Sequence, residues 1–324
     1  MASSEAPGGE LELRLGAVAY GAQGINLYRF DAPDGAALPA FEPGAHVDVQ
    51  ACGAHRRQYS LLWPPAAPGS YTIAVQVAED GRGGSRALHY DSVVGRHYRL
   101  SAPRNHFGLA AGARRYVLFA GGIGITPIVS MYRRLRQDGA AVELHYWSAN
   151  RARTLFLDEL RDAPGVHLHH AETRPVDGAP SPRIGDVIRD LPMDAQLYCC
   201  GPDAMLAAFD AACANRPAGM AHRERFGVDA AALLPADTFQ VRLARSGRTL
   251  TVDAGQTLLQ ACLEAGVDVS YSCEEGVCGA CEVKVLAGEI AHRDSILTPE
   301  QRRANRSMML CCSRGAGTSL VLDL

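Results

Sequence analysis

The chain has 324 residues, 47% hydrophobic and 21% charged, with a net charge of -3. At roughly 100–200 residues per domain this predicts two or three globular domains, and the composition excludes disordered, collagen-like and coiled-coil proteins. Balanced charge leaves no phosphate-neutralising stripe, so nucleic acid is not an expected partner.

Up to about Phe107 the sequence reads as β. Runs such as Leu11–Val18, His46–Val49 and Tyr71–Ala78 are separated by Gly/Pro turns, which suggests a small barrel. From Arg115 the pattern changes. Tyr116–Ala120 reads as a short buried strand, and Gly121-Gly122-Ile123-Gly124 as a turn into a helix with Thr126 at the N-cap and Pro127 at the first helical position. Ile128, Met131, Tyr132 and Leu135 follow at helical spacing, Gly139 closes the helix, and Val142–Trp147 is a second strand. This strand–helix–strand pattern recurs through Gln196–Cys200 and the helix after Pro202, so the middle third is α/β with a parallel sheet. Asp229–Asp237 reads as a linker. Beyond it, Thr238–Ala244 alternates, a Ser246-Gly247 turn leads to Arg248–Val252, and a helix follows with Leu258, Leu259, Cys262 and Leu263 inward. The expected division is a β-barrel domain over 1–109, an α/β domain over 110–230 and an α+β domain over 238–324.

The longest uncharged apolar run, Tyr116 to Tyr132, falls short of the roughly 20 residues of a membrane span and contains Pro127 and three glycines. The N-terminus lacks the basic and apolar regions of a signal peptide, so a cytoplasmic protein away from the membrane is expected. Its ten cysteines should then be reduced thiols. Cys52, Cys213 and Cys262 read as small buried hydrophobes, whereas five of the ten fall between Cys273 and Cys312.

Cys273-x4-Cys278-x2-Cys281, followed far downstream by Cys311, is the sharpest chemical signal. Thiolates at this spacing hold a 2Fe-2S cluster. Zinc, the alternative, usually takes two short Cys-x-x-Cys hooks. Thr238 to Leu324 resembles plant-type ferredoxins, which implies a β-grasp fold. Those ferredoxins leave 29 residues between the third and fourth ligands, as here between Cys281 and Cys311. If the chain is extended at this point, Cys312 faces the opposite side.

Gly121-Gly122-Ile123-Gly124-Ile125-Thr126-Pro127 places glycines at a strand-to-helix turn, where backbone can approach a pyrophosphate. With Cys200-Gly201-Pro202 it resembles the nicotinamide-binding domain of the ferredoxin–NADP reductase superfamily, which implies that Cys200 lies beside the nicotinamide. A buried core thiol is the alternative, and Cys199 is read that way. Arg57-Gln58-Tyr59-Ser60 resembles the flavin motif of the same superfamily. There the arginine meets the flavin phosphate, the tyrosine packs on the rings and the serine bonds the flavin edge. Gly83, Gly84 and Ser85 in the Gly81–Ser85 run offer N–H donors to the phosphate, or form a plain hairpin turn. The resemblance adds Val75, Gln76 and Val77 to the flavin contacts and sets Thr126 near the ring. Phe226 would lie against the flavin face, or else be an ordinary core residue.

The order flavin, nicotinamide, ferredoxin resembles the phthalate dioxygenase reductase family, which includes vanillate demethylase reductases. Pro103-Arg104-Asn105-x-Phe107 and the terminal Leu320–Leu324 also match it. This resemblance implies FMN, a 2Fe-2S cluster and NADH as cofactors, with NADPH possible, and a reductase that feeds the terminal oxygenase component of a Rieske-type aromatic oxygenase. A reductase serving a cytochrome hydroxylase, or a non-catalytic relay or sensor subunit, are the alternatives. Val142–Trp147 ends without the acid of an NAD-specific site and with Arg151 nearby. His167, His169 and His170 have no fourth ligand in sight and read as a solvated strand. Arg133, Arg134 and Arg136 read as an exposed helix face.

Overall fold

The computed structural model describes residues 10–51, 56–65, 69–78, 83–171, 181–226, 238–271, 276, 279–317 and 319–324. Its contacts form two compact units, Met1–Glu224 and Arg225–Leu324.

The first unit begins with β1 (Glu10–Ala22), β2 (Ile25–Asp31), β3 (His46–Gln50), β4 (Arg56–Ser60), β5 (Ser70–Gln76), α1 (Gly84–Asp91) and β6 (His97–Ser101). These strands form an antiparallel sheet ordered β4-β3-β6-β1-β2-β5. A Leu61–Ile73 bridge joins its two ends, closing the barrel that the short strands and turns suggest. Leu13, Leu15, Phe30, Val47, Val49, Ile73 and Leu100 fill the interior. Each such side chain contributes about 1.5–3 kcal/mol by leaving water.

The second half of this unit comprises β7 (Tyr116–Gly121), α2 (Ile125–Gln137), β8 (Val142–Ser148), α3 (Leu157–Leu160), β9 (Val166–His170), α4 (Ile184–Arg189), β10 (Gln196–Cys200), α5 (Asp203–Cys213) and β11 (Ala221–Glu224). Its parallel sheet runs β11-β10-β7-β8-β9. The chain builds outward from β7 to β9, then crosses to β10, so strand order reverses between β7 and β10. Ligands of doubly wound sheets bind at that reversal, beyond the strands' carboxyl ends. Here α2 starts at Ile125 with Gly124 as N-cap, so Thr126 and Pro127 lie inside the first turn. The helix tolerates Pro127 there because first-turn N–H groups lack partners anyway, and Thr126 donates its hydroxyl to the Ile123 carbonyl. Barrel residues Ala22, Ile25, Leu62 and Ala74 share one core with Ile125, Ile128, Val129 and Tyr146. The two halves therefore meet through packed apolar surface.

The second unit holds β12 (Phe239–Leu243), β13 (Thr249–Val252), α6 (Leu258–Glu264), β14 (Glu282–Ala287), β15 (Ile290–Ala291), α7 (Pro299–Ala304), β16 (Ser307–Met309), β17 (Arg314–Gly315) and β18 (Ser319–Leu322). Phe239, Val241 and Leu243 are buried while Gln240 and Arg242 are exposed, as the alternation predicts. The sheet order β13-β12-β18-β14-β16 sets the last strand parallel to the first, a β-grasp arrangement. A Thr257/Gln260 capping box starts α6. Leu258, Leu259 and Cys262 pack inward as expected, but Leu263 is 40% exposed and Ala261 takes the inward place.

Candidate flavin, nicotinamide and iron-sulfur sites

β4 ends the barrel sheet and, among the described residues, pairs with β3 alone along Arg56–Ser60 before the Leu61–Ile73 bridge. Arg57 and Tyr59 share one face of this strand and Ser60 belongs to the other, so a planar ligand at its free edge can meet all three. Gly84 packs directly on the Arg57 stem. A Cβ there would stand 2.6 Å from Arg57 Cγ. This contact brings the guanidinium to the start of α1, whose first N–H groups have no helical partners. Gly83 turns the chain into α1 at φ 93°, a left-handed conformation that favours glycine. Ser85 Oγ accepts from the Ala78 N–H at 3.1 Å and keeps its own proton to donate. The barrel motif and the glycine run thus converge on one anion cradle, though Gly81 and Arg82 lie outside the described residues. The Ser60 hydroxyl is buried with no hydrogen-bond partner. An unpaired buried hydroxyl costs free energy that a polar ligand edge would offset.

The barrel also delivers this edge to the nicotinamide half. Past Ser60, the Trp63 N–H donates to Ser130 Oγ at 3.0 Å, and Ser130 lies one turn beyond Thr126 on α2. β5, which ends in Val75 and Gln76, touches the Gly122–Gly124 turn. Val77 follows the strand and donates its N–H to the Gly24 carbonyl.

The two glycine motifs of the α/β half lock together. A Cβ on Gly124 would fall 2.3 Å from the Cys200 carbonyl oxygen, and one on Gly121 would fall 2.6 Å from Pro202. Gly201 Cα lies 3.3 Å from that same position on Gly121. Above this junction a cleft of about 680 Å3 is lined by Gly121, Gly122, Trp147, Pro202 and Met205, with Pro182, Arg183 and Ile184 opposite. Among the described residues no carboxylate lines it. Ser148 is committed elsewhere, its hydroxyl 2.7 Å from that of Thr154. Cys200 ends β10 fully buried, and burial pushes its thiol well above the ordinary range, so it stays neutral. Cys199 faces the other side, in the core beneath α4 and α5.

In the second unit, Cys281 and Cys311 are buried and within hydrogen-bond reach of each other. The Gly276 N–H points at Cys311 Sγ at 3.2 Å, the kind of amide–sulfur contact that a 2Fe-2S site uses. Cys273 and Cys278 lie outside the described residues. Cys311 and Cys312 form a turn after β16 and are not extended. Cys312 is therefore not carried to the opposite side. Its sulfur lies where a Cβ on Gly276 would reach, 2.5 Å away.

A scan of family models matches the 2Fe-2S iron-sulfur cluster binding domain over residues 241–314. The chain is 42% identical over 315 residues to the phenoxybenzoate dioxygenase subunit beta of Ectopseudomonas oleovorans, covering 97% of each. It superimposes on the solved phthalate dioxygenase reductase with a TM-score of 0.76 at 35% identity, covering 98% of both chains. The Burkholderia cepacia enzyme of that name is likewise 35% identical. The chain belongs to the phthalate dioxygenase reductase family. An intact type IV self-sufficient cytochrome P450 monooxygenase matches all of this chain with 43% of its own length, at a TM-score of 0.81 and 37% identity. As a member of this family, the chain is an NAD(P)H-dependent oxidoreductase that passes electrons from a pyridine nucleotide to a 2Fe-2S cluster. Among the described residues no helix is long and apolar enough to cross a membrane.

Several reductase residues depart from the sequence reading. Phe226 belongs to the second unit and is 44% exposed, so it is not an ordinary core residue. Arg133 and Arg134 are not a bare cationic face, because Arg133 pairs with Glu159 and Arg134 with Glu42 and Asp138. Other groups were missed. Glu224 pairs in register with Cys200, and burial raises its carboxyl to about 8. Glu143 and His145 join His167 on one sheet face. Nothing local marks these residues, because strand pairing between distant segments brings them together.

Proposed function

We propose that the coenzyme lies in the cleft over β7, β8 and β10, with its nicotinamide toward the Gly124–Cys200 junction and the flavin ring between that junction and β4. Support comes chiefly from the two interlocked glycine motifs beside that cleft, and from the Trp63–Ser130 hydrogen bond that ties the chain just past Ser60 to the helix carrying Thr126. Arg57, the α1 start and Ser85 hold the FMN phosphate, and Tyr59 and Ser60 orient the ring. Cys200 packs as a neutral thiol beneath the coenzyme. Bound FMN supplies the exchange between hydride and single electrons that the protein alone cannot perform. Gly121, Gly122 and Gly201 let coenzyme approach the backbone, and Pro202 and Trp147 wall the cleft against water. Cys273, Cys278, Cys281 and Cys311 are the proposed cluster ligands. The division into 1–109, 110–230 and 238–324 belongs to this reading, supported by the separate barrel, parallel and β-grasp sheets.

The partner proposed is the terminal component of an oxygenase acting on an aromatic acid or ether, by analogy with the dioxygenase systems named for the relatives. A haem hydroxylase is the second reading, favoured by the likeness to the cytochrome P450 monooxygenase. A cytoplasmic setting is part of the proposal, supported by the seven free cysteines among the described residues. The deciding experiment gives purified holoprotein NADH and ferricyanide, then a candidate oxygenase. Ferricyanide reduction without other components supports the reductase site, and its absence refutes it. NADH-dependent turnover with a Rieske-type oxygenase but not with a haem hydroxylase selects the first partner.

A further inference from the structure

Away from the crevice, the sheet face of β8 and β9 carries an imidazole cluster that electron transfer does not use. Parallel pairing sets His145 beside His167 and Trp147 beside His169. Glu143 precedes His145 by two residues and so shares its face. One ligating atom from each of Glu143, His145 and His167 lies within 4.8 Å of the others. His169 stands behind them, its Nε2 3.2 Å from His145 Nδ1. His170 points to the other face, where it meets the Thr154 hydroxyl.

We propose that Glu143, His145 and His167 form a binding site for a divalent transition ion of the zinc class. Two imidazoles and one carboxylate suit that class, whereas calcium and magnesium prefer all-oxygen shells. Ligand bonds of about 2.0–2.2 Å need the three atoms to close to roughly 3.5 Å apart. Exposed His167 and half-buried Glu143 can rotate to do so, while His145 is fixed by stacking between Phe119 and His167. The remaining groups behave as an outer shell. Arg115 holds one oxygen of Glu143 at 2.6 Å and leaves the other free, and His169 orients the His145 ring. Exposed His167 gives the ion its entry.

The site reaches the coenzyme cleft through one contact. His169 stacks on Trp147 with ring centroids 4.4 Å apart, and Trp147 lines the cleft. An ion that tightens the cluster therefore restrains the cleft wall and weakens coenzyme binding, a step that rests on the cleft being the NADH site.

Equilibrium dialysis of iron-loaded holoprotein against zinc chloride, with zinc counted separately from iron, tests the site. Wild type should take up one zinc at this site. His167→Ala and Glu143→Gln should each bind it at least tenfold more weakly, and His97→Ala, an exposed histidine on β6, should bind like wild type. Equal uptake by wild type and His167→Ala, or none by either, overturns the site. Saturating zinc should raise the KM for NADH severalfold in wild type and not in His167→Ala. An unchanged KM despite bound zinc overturns the link through Trp147. Should the protein fail to oxidise NADH at all, the cleft assignment falls, while dialysis still decides the metal site.

Discussion

Gly84→Ala separates the two jobs of the proposed phosphate cradle. The added Cβ would stand 2.6 Å from Arg57 Cγ and 3.2 Å from Nε, so the Arg57 stem must move. Gly84 already has helical backbone at the start of α1, where alanine is the better helix former by up to about 1 kcal/mol. The variant should therefore fold as well as wild type, yet aim its guanidinium poorly. A charge-assisted contact is worth about 1.5–3 kcal/mol, so Arg57→Ala should weaken FMN roughly ten- to hundredfold. Gly84→Ala keeps the charge and loses only its aim, and should fall near the lower end, about tenfold. Quenching of FMN fluorescence, titrated with flavin-stripped protein, gives both affinities, and thermal melts of the same preparations report folding. A Gly84→Ala Kd within about twofold of wild type, with Arg57→Ala impaired, would refute the idea that this close approach positions the arginine.

Cys311→Ser should abolish or badly perturb the visible and electron paramagnetic resonance spectra of the cluster, whereas Cys312→Ser should leave them nearly intact; the opposite pattern moves the ligand to Cys312. Gly124→Ala drives a Cβ into the Cys200 backbone, so it should cost about 1–3 kcal/mol in urea unfolding and depress NADH oxidation. Glu224 binds its proton more tightly folded, at about 8 against 4.5, so its contribution to wild-type stability should decline as pH rises through that window. Glu224→Gln should remove that part of the slope, and parallel slopes in urea melts across the window would show that Glu224 does not titrate there.

Local order accounts for what the amino-acid sequence alone determined. Residue spacing specified the alternating β12, the helical face of Ile128, Met131, Tyr132 and Leu135, and the strand-to-helix turn at Gly121–Gly124; it also proposed a cysteine set of which Cys281 and Cys311 are buried side by side, while Cys273 and Cys278 lie outside the described residues. Each depends on neighbours within one or two turns, or on ligand spacing that a cluster imposes directly. Tertiary structure decided the rest. Packing of Gly84 on Arg57 joined two proposed flavin motifs that are distant in sequence, and the fit of Gly124 on Cys200 joined the two proposed nicotinamide motifs. Register between β8 and β9 gathered Glu143, His145 and His167, and pairing of β10 with β11 set Glu224 beside Cys200. Even short-range readings gave way to packing. Thr126 entered the helix because the tight Gly122–Gly124 turn begins it earlier, and Leu263 yielded the inward face to Ala261. The pairing of remote strands is a choice made by the whole fold, since one residue of slip would turn every side chain to the opposite face.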